Sequence, residues 1–281
     1  MFVRIVLVSA LRLVFQCVNL MPYNVQKKIG SSIGWLCYWG IPKRRAVAKN
    51  NLSICFPDKT PEERGKLLRG HFYSLGQNII DMHAVWFGHD APIKNKMRLL
   101  NEHYLTEAIA NGKGVVLLSG HFTSLELPFC SLQSICRNIG AMYREQKNDT
   151  WNKIMYEGRS RNIDRLIPHT DIKNLISALN ENLVIWYAPD QHYAKKRSTT
   201  LSFFGQSTTF NSSIENIHKI TNCIVLTQFS SKLPDGTYEV AFGSPILPNE
   251  KTTITEQYVR RLESYIRQVP EQYYWVHKRF K

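Results

Sequence analysis

Apolar residues in the second half of this chain follow two alternating patterns. Short continuous apolar runs have the length and the β-branched content of buried strands. These runs are residues 115–118, 141–144, 183–189 and 223–229. Between them, helical spacing predicts helices at residues 150–161, 171–180 and 212–221. A turn at 233–237 leads into a further strand at 238–242. This alternation predicts an α/β/α layered domain with a mixed central sheet.

The first half of the chain has mainly helical patterns. Residues 46–88 read as helix, interrupted by a turn at Pro57. Thr60 and Glu63 match the capping box that begins many helices, and Pro61 occupies the first helical position. We therefore expect a second helix to begin at Pro61.

The first 22 residues are a candidate membrane anchor. Residues 1–21 are predominantly apolar but carry Arg4 and Arg12. A cleaved signal peptide fits poorly, because Arg12 interrupts the apolar core. A transmembrane span and a helix lying in the membrane surface both stay open, since an arginine at mid-membrane costs about 2.5 to 3.5 kcal/mol but can snorkel from a surface helix. We expect a retained anchor over 1–22 and one domain over 23–281.

Two further segments suit either a membrane surface or ordinary structure. Residues 24–39 include Trp35 and Trp39, which fit an interfacial aromatic belt or core packing equally well. The basic residues 43–45 suit lipid head groups or a solvated helix face.

The charge balance points to an anionic partner. Lys and Arg total 36 against 22 Asp and Glu, which gives a formal net charge of +14. Nucleic acid, anionic lipid and an acidic carrier protein are all compatible with this charge. The six cysteines contain no C-x-x-C pair, so reduced thiols are favoured over disulfides or zinc ligands.

Residues 112–128 are the strongest candidate for a reaction centre. An apolar strand there ends at Ser119-Gly120 and is followed by His121 and, five residues later, Glu126. Polar residues at the end of a strand commonly line the ligand crevice of α/β sheets. The competing interpretation is structural, because Thr123 and Glu126 also match a capping box for a helix from Thr123 to about Arg137.

The absence of several motifs limits the classes of reaction that the sequence supports. The chain contains no G-x-S-x-G, no G-x-x-x-x-G-K-[ST], no G-x-G-x-x-G and no H-E-x-x-H. The sequence therefore gives no support for a serine hydrolase, for a phosphate-loop or dinucleotide enzyme, or for a metal site. A histidine and a carboxylate without a nucleophilic serine suit a reaction in which the substrate hydroxyl is the nucleophile and the histidine deprotonates it.

Other residues near predicted strand ends or in following segments are candidates for the same site. They are Arg144, Arg159, Asp190 and Gly205. Each of them alone also has an ordinary structural interpretation.

The ordered set of motifs resembles the bacterial lipid A late acyltransferases, the lauroyl/myristoyl acyltransferase family of the lysophospholipid acyltransferase superfamily. His121 and Glu126 have the superfamily spacing of His, four residues, then Asp or Glu. The resemblance covers nearly the whole chain. Its further motifs are RRAVAKNNLSICFP, MYREQKN, EGRSRN, PDQ, SFFGQSTTF and PEQYYWVHKRFK.

This resemblance implies a specific reaction and assigns residue roles. The expected reaction transfers an acyl chain from an acyl carrier protein to a hydroxyl of a lipid A precursor glycolipid, at the cytoplasmic face of the inner membrane. His121 is the expected general base and Glu126 its partner. Arg159 is expected to contact substrate or developing charge, and Arg144, Asp190 and Gly205 to line the site. No metal or cofactor is expected.

One segment departs from the family pattern. Residues 192–201 place Lys195, Lys196 and Arg197 between the PDQ and FFG motifs, where they suit docking of an acidic carrier. The alternative within the same class is an acyltransferase for another membrane acceptor, such as a lysophospholipid or a glycosylated phospholipid. A nucleic-acid-binding module is disfavoured, because no recognition motif for DNA or RNA is present.

Overall fold

A computed structural model describes residues 13–87, 91–191 and 197–280. The helices are numbered in chain order. They are α1 Tyr23–Gly40, α2 Pro42–Cys55, α3 Pro61–Phe87, α4 Ala91–Lys94, α5 His103–Ala110, α6 Leu127–Ile135, α7 Asp149–Arg159, α8 Ile172–Asn180, α9 Ser213–Thr221 and α10 Ile254–Gln268. A short 3₁₀ helix, Pro270–Gln272, follows α10.

The strands form two sheets. They are β1 Met97–Leu100, β2 Val115–Leu118, β3 Ile139–Tyr143, β4 Arg165–Pro168, β5 Val184–Tyr187, β6 Ser198–Phe203, β7 Gln206–Asn211, β8 Ile224–Lys232 and β9 Tyr238–Phe242. The seven-stranded sheet has the order β1-β9-β8-β2-β5-β3-β4, and β6 pairs with β7 in a separate hairpin. Strands β8 and β9 are antiparallel, whereas the other neighbours in the large sheet are parallel. The predicted mixed sheet is therefore confirmed.

Both faces of the large sheet are covered, as the continuous apolar runs require. All four residues of β2 are buried. Val116 and Leu118 belong to one apolar cluster, which includes residues of α8, α9 and α10, while Val115 and Leu117 belong to a second, which includes residues of α5 and α6. Successive side chains of a strand point to opposite faces, so the two clusters are the two layers of an α/β/α sandwich.

The elements predicted from periodicity are present, with boundaries shifted by a few residues. Helices α7, α8 and α9 and strands β2, β3, β5, β8 and β9 occupy the predicted segments. The capping box at the start of α3 is also confirmed: Glu63 N–H donates to Thr60 Oγ1 at 3.2 Å, and Thr60 N–H donates to Glu63 Oε2 at 2.7 Å.

The second capping box is wrong. Helix α6 begins at Leu127 rather than Thr123, and Glu126, at the N-cap position, makes no side-chain capping bond. Residues 123–126 instead form a turn, and Thr123 N–H donates to Gln272 O at 2.7 Å. The side chain of Glu126 is therefore released from local capping and turns into the protein interior.

Most of the predicted membrane anchor lies outside the described residues, which begin at residue 13. Residues 13–19 are helical. Within the described ranges, no helix has both the length and the hydropathy needed to cross a bilayer. Lys195 and Lys196 of the predicted carrier-docking segment also lie outside the described residues.

Candidate active site

The pairing of two central strands brings His121 to Asp190. Strands β2 and β5 are parallel, with Leu118 opposite Tyr187. Each residue of the pair lies three positions beyond its strand, on the same edge of the sheet, so the register carries them to the same place. His121 Nδ1 lies 2.5 Å from Asp190 Oδ1.

Asp190 is a buried carboxylate that holds the loop of His121 in place. It is fully buried, and its Oδ2 accepts hydrogen bonds from the backbone N–H of His121 and from the hydroxyl of Tyr273, both at 2.9 Å. Burial alone would raise the pKa of Asp190. The charge of His121 and the hydrogen bonds from His121 and Tyr273 outweigh burial and lower that pKa below its usual value. Asp190 is therefore the ionised acceptor of an Nδ1–H proton, which leaves Nε2 of His121 as the proton-accepting atom.

This geometry corrects the partner expected for His121. Glu126 was predicted to orient the imidazole, but its carboxylate binds Arg159 and Trp86 instead. Arg159 donates from Nη2 to Glu126 Oε1 at 2.5 Å and from Nε at 3.1 Å, and Trp86 Nε1 donates to Oε2 at 3.0 Å. The carboxylate that contacts the His121 imidazole is that of Asp190, and a catalytic role for Glu126 stays a prediction.

The ion pair between Glu126 and Arg159 is itself buried and well ordered by its surroundings. The two side chains are only 5% and 14% exposed. Arg159 is the last residue of α7, and Gly158 beside it has no room for a side chain: a Cβ there would lie 2.5 Å from the ring of Trp86. Gly158 thus allows α7 to approach Trp86 closely enough for both donors to reach one carboxylate.

Two other predicted site residues lie on the surface. Arg144 follows β3 at the same edge of the sheet and is exposed. Gly205 is exposed in the β6–β7 turn, where its φ of +74° follows a φ of +53° at Phe204. Two consecutive positive φ angles are typical of a type I′ hairpin turn, which favours glycine. A substrate contact for either residue stays a prediction.

The C-terminal segment contributes residues to which the sequence assigned no role. Tyr274 N–H donates to His121 O at 2.9 Å, and Asn51 Nδ2 donates to the carbonyls of Trp275 and His277, both at 2.7 Å. These bonds fix the segment beside His121. A small cavity there is lined by Asn51, His121, Asp190, Gln191, Tyr273, Tyr274, Trp275, His277 and Arg279. The aromatic and basic C-terminal motif was visible in the sequence, but its place in the site required the fold.

A larger groove lies on the other side of the His121 loop. Its volume is about 530 Å³, and Thr123 and Ser124 of the His121 loop form part of its wall. Its charged lining residues are Lys27, Lys232, Asp81 and Glu271. Lys232 forms an ion pair with Asp81 at 2.9 Å. Among the described residues, no three His, Cys, Asp or Glu side chains are arranged to hold a metal ion.

Comparison with known proteins identifies the family to which the chain belongs. The chain is 31% identical to a lipid A biosynthesis acyltransferase of Haemophilus influenzae, over 95% of this chain and 88% of the relative. It is 27% identical to the lipid A biosynthesis palmitoleoyltransferase of Escherichia coli, over 93% and 86%. Among solved structures, the 1-acyl-sn-glycerophosphate acyltransferase PlsC of Thermotoga maritima matches with a TM-score of 0.38 and 12% identity, covering 80% of this chain and 95% of that one. The family model for bacterial lipid A biosynthesis acyltransferases matches residues 2–281, and the chain belongs to that family.

Proposed function

We propose that this acyltransferase moves a fatty acyl chain from an acyl carrier protein thioester to a hydroxyl of a lipid A precursor, a secondary acylation of lipopolysaccharide biosynthesis. The observation that carries the proposal is the 2.5 Å contact between His121 Nδ1 and the buried Asp190. A histidine held in this way is suited to general-base catalysis, and in the proposed reaction it removes the proton of the acceptor hydroxyl.

The reaction requires one proton to move twice. His121 Nε2 removes the proton of the acceptor hydroxyl while the oxygen attacks the thioester carbonyl, so a C–O bond forms and the carbonyl electrons move to oxygen. When this adduct collapses, the C–S bond breaks and the thiolate takes the proton from His121. The negative charge of Asp190 stabilises the imidazolium between these two steps, and general-base catalysis of this kind contributes about 10²- to 10⁴-fold.

Glu126 and Arg159 have a supporting role in this mechanism. The carboxylate of Glu126 is committed to Arg159 and Trp86, so its contribution is to hold the guanidinium in a fixed position. Arg159 then presents a positive charge to the substrate or to charge that develops during transfer. A positioned cation is most effective where burial keeps water away, as it does here.

The net charge of the protein and the position of the groove support the two proposed substrates. The net charge of +14 favours an acidic carrier protein and a phosphorylated glycolipid, because long-range attraction raises the encounter rate with both. The groove of about 530 Å³ lies beside the His121 loop, and we assign the sugar head group of the acceptor to it. The acyl chains of the acceptor would remain with the membrane.

The decisive test is transfer between defined substrates. The purified protein is incubated with acyl carrier thioesters of several chain lengths and with a lipid A precursor, and products are identified by mass spectrometry. The expected product gains one acyl chain on a hydroxyl. Preferred acylation of a lysophospholipid would overturn the lipid A assignment, and equal use of coenzyme A thioesters would overturn the carrier protein as the donor.

We also propose attachment to the cytoplasmic side of the inner membrane through an apolar surface at the end of α1. Trp35, Leu36 and Trp39 are 64%, 60% and 58% exposed there, and Ile41 and the basic residues 43–45 follow directly. Exposed tryptophans beside basic residues are typical of membrane interfaces. We propose this surface in addition to the membrane anchor predicted over residues 1–22.

Replacing Trp35, Leu36 and Trp39 together by Gln is expected to reduce cosedimentation with vesicles containing phosphatidylglycerol at least severalfold. The matched control replaces Ile220 and Leu247, which are also exposed and apolar but lie elsewhere on the surface, at 64% and 72%. If both variants bind vesicles like the wild type, the surface at the end of α1 is not a membrane contact.

A further inference from the structure

Arg279 is a buried arginine inside the candidate active site. It is 2% exposed, although it lies only two residues from the C-terminal end of the chain. The centre of its guanidinium lies 4.0 Å from the centroid of the Phe210 ring and 5.4 Å from that of Phe203, both on the β6–β7 hairpin. A permanently charged group in such an apolar setting needs strong partners to compensate for lost hydration.

Only one of its three nitrogens has a hydrogen bond. Nη1 donates to Thr209 O at 3.0 Å and to Thr208 Oγ1 at 3.3 Å. Nε and Nη2 are buried and have no hydrogen-bond partner. Among the described residues, no carboxylate forms an ion pair with Arg279, in contrast to Arg159, whose Nε and Nη2 are both occupied by Glu126.

The two unpartnered nitrogens form the edge of a guanidinium that binds anions best. Nε–H and one N–H of Nη2 point in the same direction, so together they match two oxygens of one anion or share a single oxyanion. The other edge, through Nη1, is used to fix the side chain to the hairpin. The guanidinium is therefore anchored on one side and has buried donors without a partner on the other.

The neighbours of Arg279 place this edge beside the reacting groups. Arg279 lines the same small cavity as His121, Asp190 and His277. Asp190 already accepts three hydrogen bonds, from His121 and Tyr273, and is not the missing partner. Burial lowers the pKa of His277, the charge of Asp190 opposes this effect, and the charges of His121 and Arg279 add to it, so the neutral form of His277 is favoured beside Arg279.

We propose that the Nε/Nη2 edge of Arg279 binds an anionic oxygen of the reacting complex beside His121. This inference rests on the proposed acyl transfer. Two sources can supply that oxygen. One is the oxyanion formed when the thioester carbonyl is attacked, and the other is a phosphate group of a substrate. In either case Arg279 is a catalytic residue that touches substrate atoms, and its charge acts in addition to the charge that Arg159 presents.

The test compares Arg279→Lys, Arg279→Gln and Arg279→Met with the wild type. Arg279→Lys keeps the charge but lacks the paired donors. The matched control is Arg261→Gln, which removes a partly buried arginine that donates to Ser244 O and Oγ outside the site. Transfer kinetics are measured with saturating and limiting donor and acceptor, and melting temperatures are measured with and without inorganic phosphate.

An oxyanion at Arg279 predicts that all three variants lose kcat by about 10²-fold or more while KM stays near the wild-type value, since the contact exists only in the transition state. A substrate phosphate predicts a raised KM for one substrate at nearly unchanged kcat, and stabilisation by inorganic phosphate in the wild type that Arg279→Gln lacks. Kinetics like those of Arg261→Gln, accompanied by a lowered melting temperature, would show a purely structural arginine and overturn the proposal.

Failure of the Arg279 proposal can be distinguished from failure of the proposed function. If the wild type acylates an acceptor other than a lipid A precursor, the acceptor assignment fails, while the same comparison of variants with that acceptor still tests Arg279. If the wild type transfers no acyl chain at all, the proposed function fails. Phosphate stabilisation that depends on Arg279 then supports the anion site, and its absence overturns the site as well.

Discussion

Replacing Asp190 by Asn is expected to lower kcat for acyl transfer by about 10⁴-fold, the cost of the equivalent change in a Ser-His-Asp triad, while the protein stays folded. The reason is the arrangement of hydrogen bonds around Asp190. Oδ2 accepts from the backbone of His121 and from Tyr273, so an asparagine keeps its carbonyl oxygen there and turns its NH₂ group toward Nδ1. The imidazole must then carry its proton on Nε2, which removes the base.

Steady-state kinetics and a thermal melt of the same preparations check this prediction. The matched control is Asp164→Asn, because Asp164 also accepts a backbone hydrogen bond, from Ile139 at 2.8 Å, but lies away from His121. His121→Ala combined with Asp190→Asn should be no slower than His121→Ala alone, since the two residues act as one unit. A loss of less than about tenfold in Asp190→Asn would mean that the carboxylate does not set the state of His121.

The partner of His121 shows what the sequence could not provide. The strand before His121 and its end were predicted correctly, because a short β-branched run bounded by glycines is typical of a buried strand. The choice of Asp190 depends on the pairing of β2 with β5, which joins two residues separated by 69 positions in the chain. Periodicity predicts that strands exist and which faces they bury, but it carries no information on which parallel strands become neighbours.

The two capping-box motifs show that sequence spacing alone does not decide local structure either. Thr60 with Glu63 and Thr123 with Glu126 have identical spacing, yet only the first is a cap. Glu63 is on the surface, where the backbone N–H of Thr60 is its main partner and lowers its pKa. Glu126 is buried beside Arg159, and a charged partner in the interior outweighs a capping bond. The outcome was decided by tertiary contacts that neither motif contains.

Other parts of the site escaped prediction for a related reason. Arg279 and Tyr273 line the cavity beside His121 because the C-terminal segment crosses it, held there by Asn51 on α2. The motif containing them was recognisable from the resemblance to the family, but nothing local in it distinguishes a buried arginine from a surface one. Short polar strands such as β6 and β7 also lack the apolar runs by which the other strands were identified.

The ion pair between Glu126 and Arg159 gives the second large prediction. Glu126→Gln is expected to lower the free energy of unfolding by about 3 kcal/mol, because it leaves a buried guanidinium without its carboxylate. It is also expected to lower kcat by about 10²-fold or more, because Arg159 loses the anchor that fixes its charge near the substrate. Urea unfolding and steady-state kinetics on the same samples measure the two effects separately.

A double variant separates stability from catalysis. Glu126→Leu with Arg159→Met replaces the buried pair by apolar side chains, a change that is often neutral or stabilising for the fold. We expect it to recover most of the stability lost in Glu126→Gln while transfer remains at least about 10²-fold below that of the wild type. The matched surface control is Glu181→Gln, which breaks the exposed pair of Glu181 with Arg165 and should change neither quantity appreciably. If the double variant regains both stability and transfer, the pair serves only the fold. The positive charge for the reaction must then come from another group, and Arg279, whose Nε and Nη2 have no hydrogen-bond partner, is the candidate.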